Sequence, residues 1–365
     1  MSTPEHTDAR PALSDREETI LQMVVQNFVS TAGPVGSRTL AKEHEQEIGL
    51  SAASIRNTMS DLEDMGYLDQ PHTSAGRVPT GMGYRTFVDE LMSVPSLSPD
   101  ERHMLHLKIR EIVGDLRELM SESSRLLGRL SSLLGVALSP RLSTGTLDRL
   151  EIVPLTGGRV MFVLSIEGGL AKTIVLELEA SDMQRRDIDR ITRLLNERLA
   201  GLTLREIRDT HVERVRDLQD ETGIVRLVVE RSDSLFSEPA AGRLRFGPAQ
   251  HIMAQPEFQE TGDLRAFMEL MEDEDFVVHL LEDQAAETEH AASPQDQVNV
   301  RIGSENSDEK AQEYSIVTAP YALGKTSGTV GVIGPTRMEY GHVVALVQST
   351  ASMLSSASSS DDATA

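Results

Sequence analysis

Apolar residues along the first hundred positions recur at intervals of three and four. Ile20, Leu21, Val24, Val25 and Phe28 predict a helix that opens at Ser14, with Asp15, Glu17 and Glu18 suited to the positive end of its dipole. Gly33-Pro34 breaks the chain, and Val35 to Glu43 reads as a short second helix. Ser51 is a good N-cap for a third, because its hydroxyl can accept from a free N–H of the first turn. Ile55, Met59, Leu62 and Met65 give that helix one apolar stripe, and Gly66 follows where a left-handed cap residue is expected. Tyr67-Leu68 and Arg77 to Pro79 predict two short strands around a Pro71–Gly76 loop. Tyr84, Phe87, Val88 and Leu91 predict the core face of one more helix, and Met92 to Pro99 a linker.

From Ser98 a single long helix is expected to reach Leu134. Its seam of Ile109, Ile112, Leu116, Leu119, Ser123, Leu126, Leu130 and Leu133 suits either a coiled coil between two subunits or packing on the chain's own sheet. After Leu147 the period changes. Leu150–Leu155, Arg159–Ile166 and Ala171–Leu178 predict strands with Gly-Gly turns between them, and Ile188–Leu199 a helix. Tyr314–Tyr321 and Thr329–Ile333 predict two further strands, and Val343–Leu354 a closing helix. The fold class expected is a multidomain α+β chain: a winged helix-turn-helix, then a sensor-like α+β domain interrupted by an insertion. Within the insertion, Ile224–Val229 and Gly242–Phe246 read as strands. Leu264 to Leu281 carries a Met- and Phe-rich stripe that suits core or a partner surface equally.

Charge sharpens the picture at the third helix and its hairpin. Ser51–Ser60 and Gln70–Phe87 contain Arg56, Arg77 and Arg85 and no acid, while Asp61, Glu63, Asp64 and Asp69 all fall between them. Arg56 and Asn57 have the chemistry of base readers, since arginine forks onto guanine and asparagine pairs with adenine. Ala52, Ala53 and Ser54 are small enough to let the helix start approach a groove. Arg38 and Lys42 share a face of the second helix and suit phosphate contacts or plain solvated charge. His72, Thr73, Ser74 and Arg77 form the wing, for which phosphate and minor-groove contacts compete with an ordinary hairpin loop.

Bulk composition pulls the other way. The 365 residues carry a net charge of −23, and residues 1–92 alone hold 7 Lys/Arg against 14 Asp/Glu. DNA binding must then rest on local separation of charge rather than on an overall basic footprint. Cysteine is absent, which excludes disulfides, thiolate metal sites and a cysteine nucleophile. The polar N-terminus has no apolar signal core, and no apolar run approaches the roughly 20 residues a membrane helix needs, so a cytoplasmic chain without membrane contact is expected. No P-loop, H-E-x-x-H or G-x-S-x-G occurs, His103 and His106 lack further ligands, and neither an enzyme activity nor a cofactor is assigned. The competing class is a ligand-sensing or scaffold protein whose winged helix binds protein.

The stretch IRNTMSDLEDMGYLDQPHTSAGRVPT, residues 55–80, closely resembles the hallmark of the heat-inducible transcription repressor (HrcA) family, and GTVGVIGPTRMEY, residues 328–340, is a second resemblance in the right order. The resemblance implies a winged-helix domain over 1–93 and a GAF-like domain over 94–209 and 291–355. It also implies an inserted dimerisation domain over 210–290, with 356–365 a disordered tail. It further implies a homodimer on the CIRCE inverted repeat, double-stranded DNA upstream of chaperone operons, kept active by the GroE chaperonin. Within that frame Arg38, Lys42, Ser51, Ser54, Arg56, Asn57, His72, Thr73, Ser74, Arg77 and Arg85 are the expected DNA-contacting set.

Overall fold

Side-chain oxygens standing in for missing helical partners set the starts of the helices at Asp15, Ala52 and Gly81 in a computed structural model that describes residues 11–45, 49–72, 76–112, 116–167, 170–178, 185–218, 220, 222–237, 243–259, 261–288, 298–323 and 326–359. Helix α1 (Asp15–Thr31) opens with the Glu17 carboxylate accepting the Ser14 N–H at 2.7 Å. Helix α2 (Ser37–Glu43) follows, and α3 (Ala52–Asp64) opens with Ser51 Oγ accepting from the Ser54 N–H at 3.2 Å. Ile20, Leu21, Val24 and Val25 pack with Leu40, Ile55, Met59 and Leu62 into one core. Gly66 ends α3 with the left-handed φ of 85° expected of it. Strands β1 (Leu68–Asp69) and β2 (Val78–Pro79) pair antiparallel, and Val35 exchanges two backbone hydrogen bonds with Arg77 beside them. Helix α4 (Gly81–Thr86) starts on Thr80 Oγ1 and runs on through a π turn at Phe87–Leu91.

The long helix expected from Ser98 to Leu134 is two helices, and the strand that follows has no counterpart among the elements expected from the sequence. Helix α5 (Pro99–Glu111) ends where Ile112 takes an extended conformation, and α6 (Leu116–Ser131) ends at Ser132, whose φ is 58°. Leu134–Leu138 is then strand β3, buried at every position. A short run apolar on both sides fits a buried helix as well as a central strand, so period alone does not assign it.

Strand β3 belongs to a five-stranded antiparallel sheet of order β7-β3-β10-β9-β8, formed with β7 (Leu244–Phe246), β8 (Asn299–Ile302), β9 (Tyr314–Leu323) and β10 (Thr326–Pro335). Its residues alternate between two cores. Ala137, Val317, Ala319, Val330 and Val332 face α6 and the closing helix α13 (Tyr340–Ser359), so the heptad seam of α6 is intrachain core. Leu134, Val136, Leu138, Ile316 and Ile333 face α11 (Thr261–Glu272) and α12 (Glu274–Thr288), whose Phe267, Leu270, Val277 and Leu281 complete that layer. The apolar stripe left open in the sequence is therefore largely core, although Met268 stays exposed. Helix α6 can lie on the sheet because position 135 is glycine: a Cβ there would stand 1.9 Å from the Ser124 carbonyl oxygen.

Between β3 and β7 the chain builds a separate three-stranded meander, β4 (Leu147–Leu155), β5 (Arg159–Ile166) and β6 (Leu170–Glu177). The five strands expected in the sensor-like domain thus divide between two sheets. Helix α7 (Arg185–Leu199) covers the meander's inner face, and Asn196 stitches to the Leu150 backbone with bonds of 2.8 and 2.7 Å. Helices α8 (Leu204–Val215), α9 (Ile224–Glu230) and α10 (Ser232–Phe236) complete the unit. Residues 224–229, read as a strand for their β-branched run, are helical because Ile224, Val225, Leu227 and Val228 are all buried against neighbouring helices.

Candidate nucleic-acid interface

Burying Ile55, Met59 and Leu62 fixes which side of α3 faces out, and it is the side carrying Arg56 and Asn57, both exposed. Arg38 and Lys42 are exposed one turn apart on α2. An open cleft between the two helices is lined by Val35, Gly36, Ser37, Arg38, Arg56, Met59, Gly76 and Arg77. Three of the expected arginines therefore meet on one surface although 39 positions separate the first from the last.

The members differ in freedom. Arg77 is mostly buried and pairs with Glu63 at 2.6 Å, and its backbone is tied to Val35. Glu63 comes seven positions after Arg56, two helical turns, so an acid lies on the same face of α3. The clean separation of charge in the sequence is therefore partly undone in space. The Ser51 hydroxyl is engaged in capping, and Ser54 is half-buried, its hydroxyl and carbonyl both accepting from Arg16 Nη2 at 3.1 and 3.0 Å. Arg16, exposed at the start of α1, thus joins the recognition helix. Its setting among Asp15, Glu17 and Glu18 hid it, because in sequence that turn reads only as an acidic helix start. His72 is exposed in the wing, and Thr73 and Ser74 lie outside the described residues.

Arg85 does not join this surface. Its Nε donates to Glu305 Oε1 at 2.8 Å, Nη2 bonds Glu305 Oε2 and the Val300 carbonyl, and Nη1 pairs with Asp89 at 3.1 Å. That cation is spent on the body of the molecule. Glu305 and Val300 are over 200 positions away, which no local spacing reveals.

A helix-turn-helix with a short wing, presenting Arg56 and Asn57 outward and joined to a larger α/β body, defines the class: a DNA-binding transcriptional regulator. Residues 117–344 match the family model described as HrcA protein C terminal domain. The chain is 41% identical over 347 residues to the heat-inducible transcription repressor HrcA of Chlorobium phaeobacteroides (strain BS1), covering 94% of this chain and 97% of the relative. The repressor of the same description from Chlorobaculum parvum is 41% identical over 355 residues, 96% of this chain and 99% of its own. A solved structure described as a hypothetical protein, 22% identical, shares the fold with a TM-score of 0.63 over 96% of this chain and 99% of that one. The chain belongs to the heat-inducible transcription repressor HrcA family, a family of transcription repressors and not of enzymes.

Proposed function

We propose that the protein is a negative regulator of heat-inducible transcription that binds, as a homodimer, the CIRCE inverted repeat upstream of chaperone operons. The observation that carries this reading is the outward Arg56–Asn57 face of α3 on a chain that aligns nearly end to end with heat-inducible repressors. Arg56 and Asn57 read base edges, Arg38 and Lys42 hold phosphate, and Arg16 and Ser51 fix the start of α3. A two-fold dimer matches an inverted repeat because each winged helix takes one half-site.

The dimerising unit in this reading is residues 147–236, the part built between β3 and β7, in place of the 210–290 that the resemblance implies, since α11 and α12 pack on the five-stranded sheet. The outer face of its meander supports that choice. Val153, Met161 and Val175 stand side by side across the strands, and Val153 and Val175 are 37% and 47% exposed. An apolar row of this kind is what a protein partner covers. The five-stranded sheet with helices on both faces is then the GAF-like core. No described helix is long and apolar enough to cross a membrane, and the proposed site of action is the cytoplasm. The GroE chaperonin is the proposed positive partner: heat diverts it to unfolded protein and leaves the repressor inactive.

A reporter placed behind the inverted repeat tests the reading in cells. Expression of the protein should silence the reporter, a temperature shift should release it, and extra chaperonin should delay release. A reporter equally active with and without the protein at all temperatures would contradict it.

A further inference from the structure

The second sequence motif, residues 328–340, plays no part in the DNA-facing cleft, yet its arginine is nearly buried. Arg337 has 10% of its side chain exposed. Its Nη1 donates to the Val29 carbonyl of α1 at 2.7 Å. Its Nε and Nη2 fork onto Glu257 at 2.5 and 3.0 Å, and Nη2 also reaches Gln255 Oε1 at 2.9 Å. Tyr340 ends the same motif with its ring 5.9 Å from that of Tyr84 on α4. The next residue on α4 is Arg85, whose fork onto Glu305 runs in the opposite direction. One arginine reaches from the winged helix into the body, and the other from the body into the winged helix.

A guanidinium fork fixes an angle as well as a distance. The Arg85 fork crosses the joint itself, and the Arg337 fork onto Glu257, within the body, aims its Nη1 at the Val29 carbonyl; these two separate points remove the swivel that the covalent tether at residues 92–98 would leave on its own. We propose that Arg85 and Arg337 are positioning residues that hold each winged helix at a set angle on the body, so that the dimer accepts inverted repeats of one spacing. The inference rests on the dimeric inverted-repeat reading above. A rigid pair of reading heads meets the second half-site at high effective concentration only when distance and helical phase match, whereas a swivelling pair spreads its affinity over many spacings. Neither arginine lines the cleft that holds Arg38 and Arg56, so half-site contacts do not depend on them directly.

The test is fluorescence anisotropy of the full-length protein on duplexes whose two half-sites are moved apart one base pair at a time through a helical turn. A duplex with a single half-site is measured alongside. The wild type should favour one spacing by roughly tenfold or more. Arg85→Gln and Arg337→Gln should flatten that preference to about threefold and leave single half-site affinity within about twofold. Glu305→Gln keeps the shape of the Arg85 partner, and Arg337→Lys keeps a cation that can donate but cannot fork, so both should give intermediate profiles, which guards against a variant that merely unfolds. Wild-type spacing profiles in all four variants would overturn the proposal, as would single half-site binding that falls in parallel with the full site. A wild type that binds scrambled and inverted duplexes equally would instead bring down the operator reading, and this inference with it.

Discussion

Arg56 and Arg38 line the same cleft and are expected to do different work. A fork onto a base edge discriminates between sequences, and a phosphate contact does not. Arg56→Ala should therefore cost about 1–3 kcal/mol in specific binding and relax choice at one base position. Arg38→Ala should weaken all duplexes alike and reduce the salt slope by about one. Anisotropy titrations on the repeat and on single-base variants check both, and equal uniform losses would make Arg56 a phosphate contact. At this scale the sequence was legible wherever the partner is local. Ser51 caps Ser54, and Ser98 pairs with Glu101, three positions on in each case. It was opaque where the partner is remote: nothing near Arg85 announces Glu305, and nothing near Arg16 announces Ser54.

Elements obey the same division. Strands β4 to β6 were visible because one face is buried, so their apolar residues alternate, and glycines such as Gly157 and Gly158 take the positive φ their turns demand. Residues 134–138 are apolar on every side, and 224–230 are a β-branched run broken only by exposed Arg226 and Glu230, so period alone cannot assign either. The bare outer face of the meander yields an element-scale prediction. Val175→Asp puts a charge in the middle of the proposed contact without touching the inner face, so sedimentation should move from dimer to monomer while the circular dichroism spectrum stays. A dimer unaffected by the change would place the contact elsewhere. The start of α5 yields another. Glu101 accepts from the Ser98 hydroxyl, from His342 and from the Ser98 N–H, and these bonds hold its carboxyl down at about 2. A group whose folded value is depressed stabilises above its unfolded value, and that stability is lost as pH falls through the folded one. Melting curves of Glu101→Gln and the wild type should differ at neutral pH and converge as pH falls from about 4.5 toward 2. A gap that persists at the acid end would mean the carboxylate is not the cause.

For the whole molecule, the family could be read from two motifs, whereas the way strands divide between two sheets could not. Strands β3 and β7 pair across more than 100 intervening residues, and the meander lodged between them carries the stronger local signal. The net charge of −23 was legible and pointed away from nucleic acid, yet exposed Arg38, Lys42 and Arg56 gather on one surface while Asp61, Asp64 and Asp69 also reach solvent nearby. Binding must then be steeply dependent on ionic strength, since local attraction competes with repulsion from the rest of the chain. The measurement that tests the central claim most directly is anisotropy of the purified protein on an inverted-repeat duplex and its scrambled control across a salt series, with chaperonin present in one arm and absent in the other. The account predicts tighter binding to the repeat, a negative salt slope that reflects several phosphates, and a gain in affinity with chaperonin. Equal binding, or none, to both duplexes in both arms would contradict it.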